Sequence, residues 1–332
     1  MATYNGERFL EKQLESISDQ SRPPDELIVG DDGSVDATPQ IITKFKAAAS
    51  FPVTFIRRER TGVAANFLLS TEVAQGDLVA FADQDDVWLP NKLERSVEVL
   101  EHNAADLVVH GAVTVDEELR PKRTGYRNVR RSRVEERFHG NVWVGLAGNA
   151  MLFRKSLLDE CDWTMRPTDL LCDRQINHDD LVRFLASVRG RTVRIPDRLV
   201  LYRQHDTNTA GARLTSLQRA YRYATDKDSG YALIEISVKT LRAYAVYFSS
   251  LSAPEHRRQA TDYFIQASDL QVHRMHRLRT PGGRALPLIA AAALRGEYSV
   301  RTPGGLSWGS LLRDGYIVAT RSARHTTEPW PL

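Results

Sequence analysis

Short apolar runs rich in β-branched residues recur along the first third of the chain, at 26–30, 53–57, 77–82 and 106–110. Runs of this length bounded by polar residues read as buried strands. Between them the period changes. Leu10, Leu14 and Ile17 fall at three- and four-residue spacing, and 36–48, 63–74 and 90–101 carry the same helical rhythm. Asp36 suits a helix cap and Pro90 a first turn. Strand alternating with helix predicts an α/β architecture, a mostly parallel sheet flanked by helices.

After residue 112 the pattern loosens. A hairpin-like Val115-Asp116-Glu117-Glu118-Leu119 precedes a basic loop at 120–137, where eight basic side chains face Glu135 and Glu136. Residues 143–154 read as a strand followed by a short helix, 179–188 as a helix, and 193–195 and 199–203 as two short strands. From Leu214 the character is helical and aromatic. The boundary is placed near 212, giving a catalytic domain at 1–212 and a mainly helical region at 213–332.

Composition is that of an ordinary globular chain, 42% apolar and 26% charged over 332 residues. The net charge of +3 conceals an asymmetry: residues 1–212 carry 28 basic and 33 acidic side chains, residues 213–332 carry 17 and 9. An acidic first part argues against a surface that tracks nucleic-acid phosphates. Cys161 and Cys172 show no metal-binding spacing, and a reducing compartment fits them. The apolar stretch at 286–294 is far shorter than the roughly 20 residues a spanning helix needs. A cytoplasmic protein is expected, with peripheral contact on the inner face of the plasma membrane as one use of Arg274, Arg277, Arg279 and Arg284 beside that stretch, and ordinary helix packing as the other.

In open α/β sheets ligands bind beyond the carboxyl ends of the strands, and three such ends are polar here. Asp31-Asp32-Gly33-Ser34 offers a carboxylate to a pyrimidine imide N–H, yet is equally ordinary turn chemistry. Asp83-Gln84-Asp85-Asp86 sets three carboxylates within four residues, either a hard-cation site for Mg²⁺ or Mn²⁺ or simply an acidic loop. Asn177-His178-Asp179-Asp180 opens a helix, so Asp179 reads both as a cap and as a general base for a sugar hydroxyl.

Taken together these stretches resemble the family 2 inverting glycosyltransferases of the GT-A fold, in particular the rhamnosyltransferase-like branch. The resemblance rests on Ala2-Thr3-Tyr4-Asn5-Gly6, Gln20 with Pro23-Pro24-Asp25-Glu26, Asp31-Asp32-Gly33-Ser34, Gly62-Val63 with Asn66, Asp83-Gln84-Asp85-Asp86-Val87-Trp88, His178-Asp179 and Leu201-Tyr202-Arg203-Gln204-His205, in that order over residues 1–212. It implies that Ala2, Tyr4, Asp32, Asn66 and Asp83 line the nucleotide-sugar site. It further implies that Asp83, Asp85, Asp86 and His205 hold the metal, that Asp179 is the base, and that Gly148, Asn149 and His178 face the acceptor. The implied reaction moves a sugar, L-rhamnose being the one the branch resemblance favours, from a UDP- or dTDP-type donor to a saccharide or lipid-linked acceptor in cell-surface polysaccharide synthesis. The relatives' first apolar strand would precede Ala2, so the first strand is expected to be truncated. Two rivals stand beside this reading. A nucleotidyltransferase would want a Gly-rich phosphate loop, and neither G-x-G-x-x-G nor G-x-x-x-x-G-K-[ST] occurs. A basic-loop binding protein would leave the acidic strand ends unexplained.

Overall fold

A computed structural model of the chain describes residues 1–122, 131–138, 147–169, 174–206, 227–280, 284–299, 310–312, 314–315 and 318. The chain divides into two compact units: residues 1–137, 145–166 and 176–213, and residues 138–144, 167–175 and 214–332.

The first unit opens with β1 (Ala2–Thr3), α1 (Leu10–Ser18), β2 (Leu27–Asp31), α2 (Thr38–Ala48), β3 (Val53–Arg57) and α3 (Val63–Val73). β3, β2 and β1 form a parallel sheet, with Leu27 opposite Val53 and Ala2 opposite Gly30. β2 is buried along its whole length, as expected of a strand covered on both faces. Leu10, Leu14 and Ile17 are at most 1% exposed, so the helical rhythm is the face that meets the core. β1 contributes two paired residues, and the Met1 amino group donates to Ile28 O at 2.7 Å.

The unit continues with β4 (Leu78–Ala80), β5 (Val87–Trp88), α4 (Lys92–His102), β6 (Leu107–Val115), β7 (Arg133–Glu135), β8 (Met151–Arg154), α5 (His178–Arg189) and β11 (Thr192–Arg203). Its second sheet runs β4-β8-β6-β11-β5, with β7 also on β11. Here β6 and β11 are parallel, while β4 with β8, β8 with β6, and β11 with β5 are antiparallel. A parallel bridge between Ala2 and Asp83 joins the two sheets, so the carboxyl ends of β1, β2 and β4 share one edge.

Three readings change. The two strands expected at 193–195 and 199–203 are one bent strand, because β6 pairs with both halves across register shifts at 194–198 and 198–201. Pro196 lies in the first shift, where a missing N–H costs least. The expected strand-then-helix at 143–154 runs the other way among the described residues: a 3₁₀ turn, Gly148–Ala150, leads into β8. Part of the basic loop is β7, whose Glu135 pairs with Arg194 at 3.0 Å, while Glu136 pairs with Arg191 at 3.0 Å. Residues 123–130 lie outside the described residues.

The second unit contains β9 (Thr168–Asp169) paired with β10 (Arg174–Gln175), then α6 (Lys227–Phe248), α7 (Pro254–Arg279) and α8 (Ala285–Leu294). Phe248 stacks on Phe264 at 5.0 Å between α6 and α7. Arg274 grips both oxygens of Asp314, which also accepts from Tyr298 at 2.6 Å. Arg277 pairs with Glu297 at 2.7 Å. Arg274 and Arg277 therefore take part in buried packing, the helix-packing alternative of the two, while Arg279 and Arg284 are exposed. Among the described residues no helix is long and apolar enough to cross a membrane.

Candidate active site

The end of β2 turns on Asp31, which is fully buried and accepts from Thr3 Oγ1 at 3.0 Å and from Ser34 N at 3.0 Å. Gly33 takes φ +83, a conformation that favours glycine. Asp32 is also committed within the protein. One oxygen accepts from the Thr61 hydroxyl at 2.8 Å and the other from Gly62 N at 2.8 Å, so its carboxylate closes the loop that starts α3. Asn66, 1% exposed, donates to Gly30 O at 2.8 Å and accepts from Arg58 Nη1 at 2.9 Å. Asp32 and Asn66, expected from sequence to line the nucleotide-sugar site, also brace the wall behind this edge. Tyr4 is half-buried at the same edge, with the Arg60 guanidinium 4.3 Å from its ring centroid. Ala2 donates its backbone N–H to Ala82 O at 3.4 Å beside Asp83.

The acidic loop after β4 sorts its residues by partner. Gln84 grips the backbone of Tyr4 on both sides, accepting from its N at 2.8 Å and donating to its O at 3.0 Å. Burial, reinforced by Asp85, pushes the Asp83 carboxyl up to about 7 against the pull of Lys92 and the amino terminus. Asp85 Oδ2 lies 2.9 Å from His205 Nε2, whose ring meets Phe9 at 4.8 Å. Asp86 is fully buried; it accepts from Arg203 N at 3.0 Å and from the Asn149 amide, and burial together with Asp85 and Asp83 raises its proton affinity. Beneath the loop sits Lys92, 1% exposed and pushed down to about 7 by burial.

A fit for Mg²⁺ or Mn²⁺ can be judged from the donors. Two carboxylates, Asp83 and Asp85, suffer each other's charge, and an imidazole already touches one of them, a set of hard and borderline ligands suited to a divalent ion. Asp86 is turned inward and spends both oxygens on protein donors. Among the described residues no three such side chains converge as a ready shell. Asp85 and His205, already in contact, have the donor chemistry for such an ion, and Asp83 lies two residues away on the same loop without closing a three-ligand set.

Opposite the acidic loop, α5 begins at His178. Its ring stacks on Phe67 at 4.1 Å and meets the edge of Phe81 at 4.7 Å. Burial, then Arg166, lowers its pKa to about 3, so the imidazole is neutral. Asp179 is half-buried; burial first and Asp180 next push its carboxyl up to about 7. A Cβ on Gly148 would come 2.8 Å from His178 Nε2 and 3.5 Å from Asp179 Cβ, so a glycine is what leaves room beside both. Thus Gly148, His178 and Asp179 come together as read, while Asn149, 1% exposed, points at Asp86 instead. Sequence reading missed Gln84, Lys92, Arg58 and Arg203; the Leu201-Tyr202-Arg203-Gln204-His205 motif was the one signal available for Arg203.

His110 gives a test of these buried groups. It is 2% exposed, and burial lowers its pKa to about 3. Unfolded, it titrates near 6.5. Below that pH the unfolded chain binds a proton that the fold refuses, so this contribution is full above 6.5 and lost on acidification. Asp83, Asp86 and Asp179, with raised values, act in the opposite sense, so the histidine is isolated by comparison with a variant. Between pH 6.5 and 5, His110→Leu should become more stable relative to wild type, with a slope that approaches about 1.4 kcal/mol per pH unit at the acid end. Urea denaturation at several pH values measures this, and parallel curves would refute it.

Residues 1–161 match the family described as Glycosyl transferase family 2. The chain is 27% identical over 228 residues to an uncharacterized glycosyltransferase of Nostoc sp., covering 66% of this chain and 69% of that one. It is 25% identical over 222 residues to the dTDP-rhamnosyl transferase RfbG of Shigella flexneri, covering 65% and 75%. Its fold is shared with S. aureus TarS 1-349, at TM-score 0.55 and 15% identity over 98% of this chain and 90% of that one. The same TarS segment in complex with UDP-GlcNAc aligns at TM-score 0.54 and 15% identity, over 97% and 87%.

Proposed function

We propose that this chain is a glycosyltransferase that moves a sugar from a nucleoside-diphosphate donor to an acceptor hydroxyl with inversion, using Asp179 as the base. The observation that carries this reading is the placement of Asp179: half-buried, with raised proton affinity, beside the room left by Gly148 and within the electrostatic reach of Asp83. A carboxyl that titrates near neutrality is matched to accepting the proton of a weak hydroxyl nucleophile. The acceptor oxygen attacks the anomeric carbon as its proton passes to Asp179. The bond to the diphosphate breaks, and the leaving nucleotide keeps the electron pair. Asp83, Asp85 and His205 would hold Mg²⁺ or Mn²⁺, which when bound supplies positive charge against the departing diphosphate. Neutral His178 would hydrogen-bond a sugar hydroxyl without repelling the cationic character that develops at the anomeric carbon.

Likeness to the Shigella rhamnosyl transferase favours a dTDP-L-rhamnose donor, and the TarS complex keeps UDP-sugars in the same test. The acceptor proposed is a saccharide or lipid-linked saccharide of the cell envelope. Thermal melting against UDP- and dTDP-sugars, with and without Mn²⁺, tests donor and metal together. A donor at a hundred times its Kd should stabilise the fold by about 2.7 kcal/mol, and only with metal present. Absence of any sugar-nucleotide shift, or release of pyrophosphate from a nucleoside triphosphate, would sink the reading.

A further inference from the structure

We infer that Asp86, Asn149, Lys92 and Arg203 form a buried positioning cluster that sets the acidic loop against the acceptor-side turn, and that Asp86 works inside the protein rather than on a metal. This deepens the sugar-transfer reading and rests on it for the meaning of the two halves it joins. Every member is at least nine-tenths buried: Asp86 0%, Lys92 1%, Asn149 1% and Arg203 4% exposed. Asp86 Oδ1 accepts from Arg203 N at 3.0 Å, and Oδ2 accepts from the Asn149 amide. Lys92 Nζ donates to Asn149 O at 2.7 Å and lies 3.7 Å from the Trp88 ring centroid. Arg203 Nε donates to Asp85 O at 2.7 Å, its Nη1 donates to Glu117 O, and its guanidinium lies 4.5 Å from the Phe9 ring centroid.

The consequence is geometric. Arg203, a single residue of β11, holds the backbone of Asp85 and the side chain of Asp86, while His205, two residues on, meets the Asp85 carboxylate. The other oxygen of Asp86 is tied to Asn149, whose neighbour Gly148 leaves the room beside His178 and Asp179. Moving Asp86 therefore shifts the proposed donor half and the proposed acceptor half relative to each other. Lys92 is attracted electrostatically by Asp86 and Asp83, against the burial that lowers its own pKa. A cluster of this kind acts on the alignment of reactants, so its loss lowers kcat more than it raises donor KM.

An amide–carboxylate exchange tests the assignment. In Asp86→Asn, whichever way the amide is turned, its NH₂ meets either the Asn149 NH₂ or the Arg203 N–H. In Asn149→Asp alone, two carboxylates face each other. The double variant Asp86→Asn/Asn149→Asp restores one donor against one acceptor and conserves the charge. Each single variant should melt several degrees lower than wild type and lose roughly tenfold or more in kcat, and the double variant should recover at least half of each loss on a logarithmic scale. A double variant no better than the poorer single overturns the cluster. So does an Asp86→Asn protein that melts like wild type but needs tenfold more Mn²⁺ for half-maximal UDP binding, which would make Asp86 a ligand. Should a single variant fail to fold, recovery of folded protein in the double supports the cluster, and no recovery overturns it. Melting requires no turnover, so failure of wild type to bind any sugar nucleotide would register separately as failure of the sugar-transfer reading.

Discussion

Asp179→Asn is expected to lower kcat for sugar transfer by about a thousandfold, within the range that a positioned general base contributes. The asparagine keeps the shape of the side chain and can still accept from Asp180 N, which reaches Asp179 Oδ1 at 2.9 Å. Donor affinity and the metal-dependent melting shift should therefore persist. The melting temperature should not fall, because the substitution removes a carboxylate whose ionisation the site disfavours through burial and Asp180. In wild type, kcat/KM should rise with unit slope as pH increases toward 7 and then level, as Asp179 loses its proton among Asp180, Arg183 and Asp83. The asparagine variant should lack that limb. Steady-state release of nucleoside diphosphate across pH reads both effects. Turnover within tenfold of wild type would remove Asp179 as the base.

Asp85→Ala should abolish the metal-dependent part of donor binding. Its carboxylate is the one acidic-loop group seen touching His205, at 2.9 Å, whereas Asp86 is turned inward. Groups that merely orient a metal ligand are worth ten- to a hundredfold in metal affinity, so loss of a ligand itself should cost about a hundredfold or more. Arg203 binds the carbonyl of residue 85, a bond that survives the substitution, so the loop should keep its path and the protein its melting temperature. Calorimetry with UDP and Mn²⁺ separates the outcomes. Unchanged Mn²⁺ dependence in a folded Asp85→Ala protein would rule out this residue as a ligand.

The reading of this chain succeeded where its determinants are local. The faces of α1 and α5 follow from side chains recurring every three or four residues, and β2 and β3 from unbroken apolar runs whose period needs no knowledge of partners. It failed where partners are distant. Pro196 and Arg198 interrupt the apolar pattern, and only pairing with β6 shows that the strand continues through them. Gly148 and Asn149 were placed on the acceptor side together, yet one leaves room beside Asp179 and the other is buried against Asp86.

The same division runs through the acidic residues. Sequence alone determined that carboxylates gather after β2, after β4 and at the start of α5, because strand ends and helix starts are local features of the chain. Only the tertiary structure decided their separate uses. Asp31, Asp32 and Asp86 accept hydrogen bonds from Thr3, Gly62, Asn149 and Arg203, whereas Asp85 meets His205 and burial raises the proton affinity of Asp83 and Asp179. A carboxylate's character is set by how far it is desolvated and by which donors reach it. For Asp86 those donors come from 63 and 117 residues away, a separation that no local pattern records.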